Sequence, residues 1–361
     1  MKKKILILGS EGQIGGHLVD FFKNKKNYQI IRHDIVLNNS FDLRNDKNLK
    51  IEQNIKKSDF VFFLAFDVGG SRYLKKYQNT YNFLMNNLLI MSNVFRLLKK
   101  HKKKFIFASS QMSNMDFSTY GILKRLGEEI TKSQNCLYVK FWNVYGIEKQ
   151  IEKSHVITDF ILMALKKKKI NMLTNGKESR EFLYADDCSK GLFEIMKRFN
   201  FYKKKGFELH LTTAKKTKII DIAKIIKKIL SSRNIYIKIK PLKINDNVQH
   251  AKEDWFNDNL EGIESYLRSR PGYFWKFIES VINSVPTISG YTTTLNCIDQ
   301  NYPFVESIKS MLGFCDQVVV VDGGSKDGTW DKIVELANSE EKLVIHQNNR
   351  DWNDSRFAVF D

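Results

Sequence analysis

Ile5-Leu6-Ile7-Leu8-Gly9-Ser10-Glu11-Gly12-Gln13-Ile14-Gly15 runs a short apolar stretch straight into three glycines spaced three apart. Four apolar residues closed by glycine read as a buried strand. The glycines let the backbone turn tightly, approach a ligand and pack the next helix close, so that the amides at the helix start face an anion. Gly9, Gly12, Gln13, Ile14 and Gly15 are therefore expected to cradle a dinucleotide pyrophosphate. Outward from this stretch, apolar runs alternate with amphipathic ones. Tyr28 to His33, Phe60 to Ala65, Phe105 to Ala108 and Leu137 to Phe141 read as strands, and Gln13 to Lys23 and Tyr81 to Lys100 as helices. That alternation predicts an α/β fold with a doubly wound parallel sheet. Val156 to Leu165 and Ile219 to Leu230 predict helices of a smaller region closing a cleft over the cofactor.

With 361 residues, 42% of them hydrophobic, the chain has room for two or three domains with full cores. Its 59 Lys and Arg against 40 Asp and Glu give a net charge of +19, yet the lysines fall in short runs where helices should end. A solvated surface is expected, with no nucleic-acid partner. The four cysteines, Cys136, Cys188, Cys297 and Cys315, have no paired close spacing, so neither a disulfide framework nor a metal site is expected. A reducing cytoplasm fits. The apolar run from Ile5 to Leu8 is too short for a secretory leader, and no stretch of about eighteen apolar residues predicts a membrane span.

Asp34 closes the second predicted strand, where a carboxylate can accept both hydroxyls of an adenosine ribose and repel a 2′-phosphate. This favours NAD over NADP, against the nearby Arg32. Asp42 and Leu43 either cover the adenine or, for Asp42, cap a turn. Tyr120 and Lys124 lie four apart, on one helix face, so the ammonium is expected to lower the phenol pKa and hold the nicotinamide ribose. Tyr120 then serves as general base or acid, with Ser110 sharing the substrate hydroxyl.

Residues 1 to about 280 resemble an extended short-chain dehydrogenase/reductase acting on nucleotide sugars. The resemblance lies in Gly9, Gly12 and Gly15; Leu64-Ala65 with Val68-Gly69-Gly70; Ala108-Ser109-Ser110; Tyr120 with Lys124; Asn143-Val144-Tyr145-Gly146; and Gly176-Lys177-Glu178-Ser179-Arg180-Glu181-Phe182-Leu183-Tyr184-Ala185-Asp186-Asp187. Within that family, Asp67 to Gly70 and Ser154 to Ile157 look most like GDP-fucose synthases and GDP-mannose 3,5-epimerases. The resemblance implies a Rossmann-type core over 1–146 and a substrate region over 147–285. It puts Leu64 and Ala65 beside the cofactor, and Asn143, Gly70 and Ser71 beside the sugar. Arg180 would grip the substrate diphosphate, and His155 would act as a second proton carrier, the alternative being a helix cap. It also implies a homodimer formed through two long helices, for which Tyr81 to Lys100 and Tyr120 to Lys132 qualify. Three positions depart from the family. Met112 replaces a proton-carrying cysteine, Gln111 and Met112 replace the acidic pair of the dehydratases, and Ser110 and Tyr120 are only ten positions apart.

Residues 286–361 resemble the opening of a family-two, GT-A type glycosyltransferase, with Thr294-Leu295-Asn296 at one strand end and Asp322-Gly323-Gly324-Ser325 at another. In that family the metal-binding Asp-x-Asp and the catalytic base lie further along the fold than this sequence reaches. The expectation is part of a longer bifunctional protein, or alternatively a docking module.

The favoured activity is NAD-dependent epimerisation of a nucleotide-diphosphate sugar at its 4-position through a 4-keto intermediate, for a surface polysaccharide. An NADP-dependent 4-keto-6-deoxy-sugar reductase and a non-catalytic nucleotide-sugar-binding module are the alternatives.

Overall fold

A computed structural model describes residues 2–47, 49–213, 215–245 and 289–348. The chain divides into two units, Met1–Asn283 and Ser284–Asp361. The linker expected near Asn283 to Pro286 lies outside the described residues.

The elements of the first unit are β1 (Lys3–Leu8), α1 (Gln13–Lys23), β2 (Tyr28–His33), α2 (Leu49–Lys57), β3 (Phe60–Phe63), α3 (Ser71–Tyr77), α4 (Tyr81–Lys100), β4 (Phe105–Ser110), α5 (Thr119–Ser133), β5 (Leu137–Phe141), β6 (Asn143–Tyr145), α6 (Val156–Lys167), β7 (Lys169–Asn171), β8 (Ser179–Tyr184), α7 (Ala185–Lys197), α8 (Phe199–Lys205), β9 (Glu208–Leu211), β10 (Lys216–Lys218), α9 (Ile219–Ser231) and β11 (Lys238–Lys240). Six strands form one sheet in the order β2-β1-β3-β4-β5-β9, and every pairing in it is parallel. Strands buried on both faces carry unbroken apolar runs, as Ile5 to Leu8 and Phe60 to Phe63 do. The helices pack as two groups, α1 with α7, and α4 with α2 and α5.

The strand order reverses beside β1, and open parallel sheets bind ligands outside the strand ends at that point. The turn there has no slack. Gly9 holds φ +84°, and a Cβ on it would lie 2.7 Å from the Ala65 nitrogen. The third strand accordingly stops at Phe63, short of the expected Ala65, because the chain bends to admit that glycine.

After β5 the chain leaves the sheet. It builds a small mixed sheet in the order β10-β8-β6 and a parallel pair, β11-β7, over a second core of Ile161, Ile170, Ile222, Ile226 and Leu230. The sequence drew this substrate region as one block. In the structure α7, α8 and β9 rejoin the first core through Leu192, Ile195, Phe199 and Leu211, because β9 pairs with β5 at the sheet edge.

In the second unit, β12 (Ser289–Thr294), α10 (Phe304–Phe314), β13 (Gln317–Asp322), α11 (Thr329–Ser339) and β14 (Leu343–Gln347) make a parallel sheet in the order β12-β13-β14. Its core is Ile308, Val318, Val320 and Ile333. Asp322 is fully buried. It accepts from the Thr294 hydroxyl at 2.9 Å, from the Ser325 amide at 2.8 Å and hydroxyl at 2.6 Å, and from the Gly324 amide at 3.0 Å. That carboxylate staples its own turn. No helix among the described residues is long and apolar enough to cross a membrane.

Candidate active site

A cavity of about 480 Å³ opens at the carboxyl ends of the strands in the first unit. The glycine turn forms its base. A Cβ on Gly15 would lie 2.0 Å from the Gly9 carbonyl oxygen, so α1 can start only this close to β1 if that residue is glycine, whereas a Cβ on Gly12 would meet the same oxygen at 3.4 Å. Gln13 Nε2 is buried there with no protein partner among the described residues. Close backbone and an unsatisfied donor at a helix start fit a pyrophosphate.

Asp34 Oδ2 accepts from the Glu11 amide at 2.9 Å and Oδ1 from the Val36 amide at 3.0 Å, which fixes the carboxylate at the end of β2. Arg32 is ion-paired with Glu11. Asp42 accepts from the Arg44 amide at 2.9 Å and from its guanidinium, and the guanidinium holds its carboxyl below the usual range. Asp42 therefore closes a turn, and with Leu43 it also borders the cavity.

Tyr120 and Lys124 come from the first turns of α5, which the Ser118 hydroxyl caps by accepting from the Gly121 amide at 3.2 Å. Gly121 lets the short Gln111–Asn114 helical turn lie directly on α5, since a Cβ there would be 2.1 Å from the Met112 carbonyl oxygen. This packing closes the ten-position link between Ser110 and Tyr120. Ser110 hydrogen-bonds the phenol, but burial outweighs that bond and pushes the Tyr120 pKa up. The expectation that Lys124 would lower it is thereby corrected. The ammonium donates to the Ala108 carbonyl at 2.6 Å and lies 3.6 Å from the Phe66 ring centre and 5.7 Å from that of Tyr120. Burial pushes Lys124 itself down to about 7, with Glu128 opposing.

The opposite wall is the segment from Gly146 to His155. The Ile147 amide donates to His17 Nε2 at 3.1 Å, Lys149 Nζ to Glu11 at 2.9 Å and Lys153 Nζ to Asp67 at 3.0 Å, while the Gly70 amide donates to the Lys153 carbonyl at 3.0 Å. His155 begins α6 without a side-chain cap. Its Nδ1 lies 2.5 Å from Glu148, whose carboxylate also takes the His155 amide at 3.0 Å. Burial works to raise Glu148, and the bond from His155 outweighs it, holding the carboxyl below its usual range. An ionised carboxylate accepts hydrogen bonds, which fits donation from His155 Nδ1.

Gly70, Ser71, Leu64, Ala65, Ser110, Tyr120, Lys124, Asn143 and His155 all border the cavity. Asn143 Nδ2 is buried there without a protein partner among the described residues. Arg180 is not brought to it. On β8 opposite Thr217, its guanidinium donates to the Ser179 carbonyl at 2.8 Å. Glu148, Phe66, Asp67, Trp142 and Lys153 line the cavity but were not read as site residues from the sequence.

A tyrosine and a lysine one helical turn apart, in one cavity with a glycine turn at the strand ends of a parallel sheet, fit a short-chain dehydrogenase/reductase. The chain belongs to the NAD dependent epimerase/dehydratase family, which matches residues 5–207. It is 28% identical over 269 residues to a putative UDP-glucose 4-epimerase of Methanocaldococcus jannaschii, covering 66% of this chain and 86% of that protein. It is 24% identical over 311 residues to the GDP-L-colitose synthase of Yersinia pseudotuberculosis, covering 75% and 97%. In fold it is similar to the UDP-glucuronic acid 4-epimerase of Bacillus cereus, solved with UDP-glucuronic acid and NAD, with a TM-score of 0.59, 19% identity, and coverage of 78% of this chain and 98% of that one.

Proposed function

We propose that this chain is an NAD-dependent epimerase of a nucleotide-diphosphate hexose, acting at the sugar 4-position. The observation that carries the reading is the hydrogen bond between Ser110 and Tyr120 beside the Lys124 ammonium, in one cavity with the glycine turn and the unsatisfied Asn143 amide. Gly9, Gln13 and Gly15 would hold the cofactor pyrophosphate, Asp34 the adenosine ribose and Lys124 the nicotinamide ribose. NAD is favoured over NADP because Arg32 is already engaged by Glu11. Bound NAD supplies a hydride acceptor, and later its donor, so nothing is consumed overall. Tyr120 takes the proton of the sugar 4-hydroxyl, Ser110 orients that oxygen, and Lys124 supplies the positive charge that offsets the phenolate. Asn143 holds the sugar.

A second reading, an NADP-dependent 4-keto-6-deoxy-sugar reductase, is favoured by the His155–Glu148 pair, a proton carrier that 4-epimerisation does not need. The likeness to a colitose synthase favours it too. Incubating the protein with UDP-glucose or GDP-mannose and no added NADH or NADPH, and separately with a GDP-4-keto-6-deoxyhexose with and without NADPH, separates the two. The 4-epimer forms if the first reading holds, and a strict requirement for reduced cofactor replaces it with the second. Absence of turnover with either would leave a binding module.

Pairing of two copies through α4 and α5 is supported by the exposed Leu89, Ile122 and Leu126. The glycosyltransferase-like reading of the C-terminal unit, and with it a role in polysaccharide synthesis, rests on the resemblance of Thr294-Leu295-Asn296 and Asp322-Gly323-Gly324-Ser325 to that family.

A further inference from the structure

Glu128 lies one helical turn beyond Lys124 on α5 and takes no part in the chemistry described above. It is 4% exposed. Its Oε1 accepts the Ser109 hydroxyl, and its Oε2 lies 3.7 Å from Lys140 Nζ on β5. Lys140 reaches closer partners, Glu208 on β9 at 2.9 Å and Asn114 at 3.0 Å. Glu208 also accepts from the Tyr138 hydroxyl at 2.8 Å and from His210 Nε2 at 2.9 Å, while His210 Nδ1 accepts from the Trp142 indole at 3.1 Å. With one ring nitrogen donating and the other accepting, His210 is neutral. Two cations, Lys124 and Lys140, thus face two carboxylates, Glu128 and Glu208. Lys140 pairs with Glu208 closely and with Glu128 at the longer distance, and Glu128, one helical turn along α5, also favours the charged form of Lys124. On its other sides Lys124 meets the Ala108 carbonyl, the Phe66 and Phe107 rings and Tyr120. Asp67, on the neighbouring loop, is taken by Lys153, Tyr73 and Asn86.

We propose that Glu128 is a positioning residue, a buried carboxylate clamped by Ser109 and Lys140 that keeps the Lys124 ammonium charged where it serves the cofactor and Tyr120. This rests on the role given to Lys124 above. Burial pushes Lys124 down to about 7 and pushes Glu128 up, so each lies where the loss of the other shifts its protonation. Removing Glu128 withdraws a charge that favours the ammonium, and Lys124 then deprotonates at lower pH.

The test is fluorescence titration of the full chain with NADH between pH 6 and 9, which needs no sugar and so stands even if no hexose is turned over. Binding to the wild type weakens on the alkaline side, and Glu128→Gln moves that limb toward acid by about one pH unit, roughly a tenfold change in the ionisation constant. Glu128→Asp restores most of it. An unmoved limb with a lowered melting temperature would make Glu128 merely structural, and a flat wild-type profile would also overturn the proposal. If Glu128→Gln does not fold, Ser109→Ala, which removes the donor to the carboxylate, shifts the limb the same way by a smaller amount. An unmoved limb there overturns it equally.

Discussion

The wall formed by the glycine turn, Ala65, Tyr120 and Lys124 is held by backbone contacts without slack and by buried polar groups, whereas the wall formed by residues 146–155 hangs largely from ion pairs near the surface. Lys149, for example, is 63% exposed where it meets Glu11, while Lys124 is 3% exposed. Interactions of the first kind are costly to disturb because nothing nearby can relax or be replaced by water, and those of the second are screened. The difference makes one side of the cavity costly to alter and the other tolerant of change.

The sharpest way to break this contrast is Gly15→Ala. The added carbon meets a carbonyl at 2.0 Å, so NADH affinity should vanish from a fluorescence titration and stability should fall by about 3 kcal/mol. Gly12→Ala, with its nearest contact at 3.4 Å, should keep measurable binding. If both behave alike, the tightness of the turn is not what matters. Next in size, Tyr120→Phe should cut turnover about a thousandfold while NADH binding persists, and retained turnover in a coupled assay would remove the phenol from the chemistry. The smallest effect belongs to the other wall. Lys149→Ala should change melting stability by less than about 1 kcal/mol, and a larger drop would show that the segment is clamped as firmly as the turn.

What the sequence disclosed follows the same line. The glycine turn, the Tyr120 and Lys124 pair and the first five strands of the parallel sheet were legible because each shows as a spacing or an apolar run within one strand or helix, whereas the sixth strand, β9, was not. Arg180 was misplaced because its direction depends on how β8 pairs with its neighbours, which no local pattern encodes. The effect of Lys124 on the phenol was overstated because spacing gives proximity but not burial, and burial prevails in both pKa shifts. Glu148 was missed although it precedes His155 by only seven positions, since an intervening loop must fold back before they touch. The cluster around Lys140 requires β5 and β9 to be neighbours, which is known only once the chain has left the sheet and returned.

The ten-position link from Ser110 to Tyr120 is folded as a helical turn seated on Gly121. A connection with no spare length cannot be edited without parting the hydroxyl from the phenol, so substitutions there should be tolerated less than on the far wall. Mutant libraries seeking new substrates would be mostly inert across positions 111–119 and productive across 147–153.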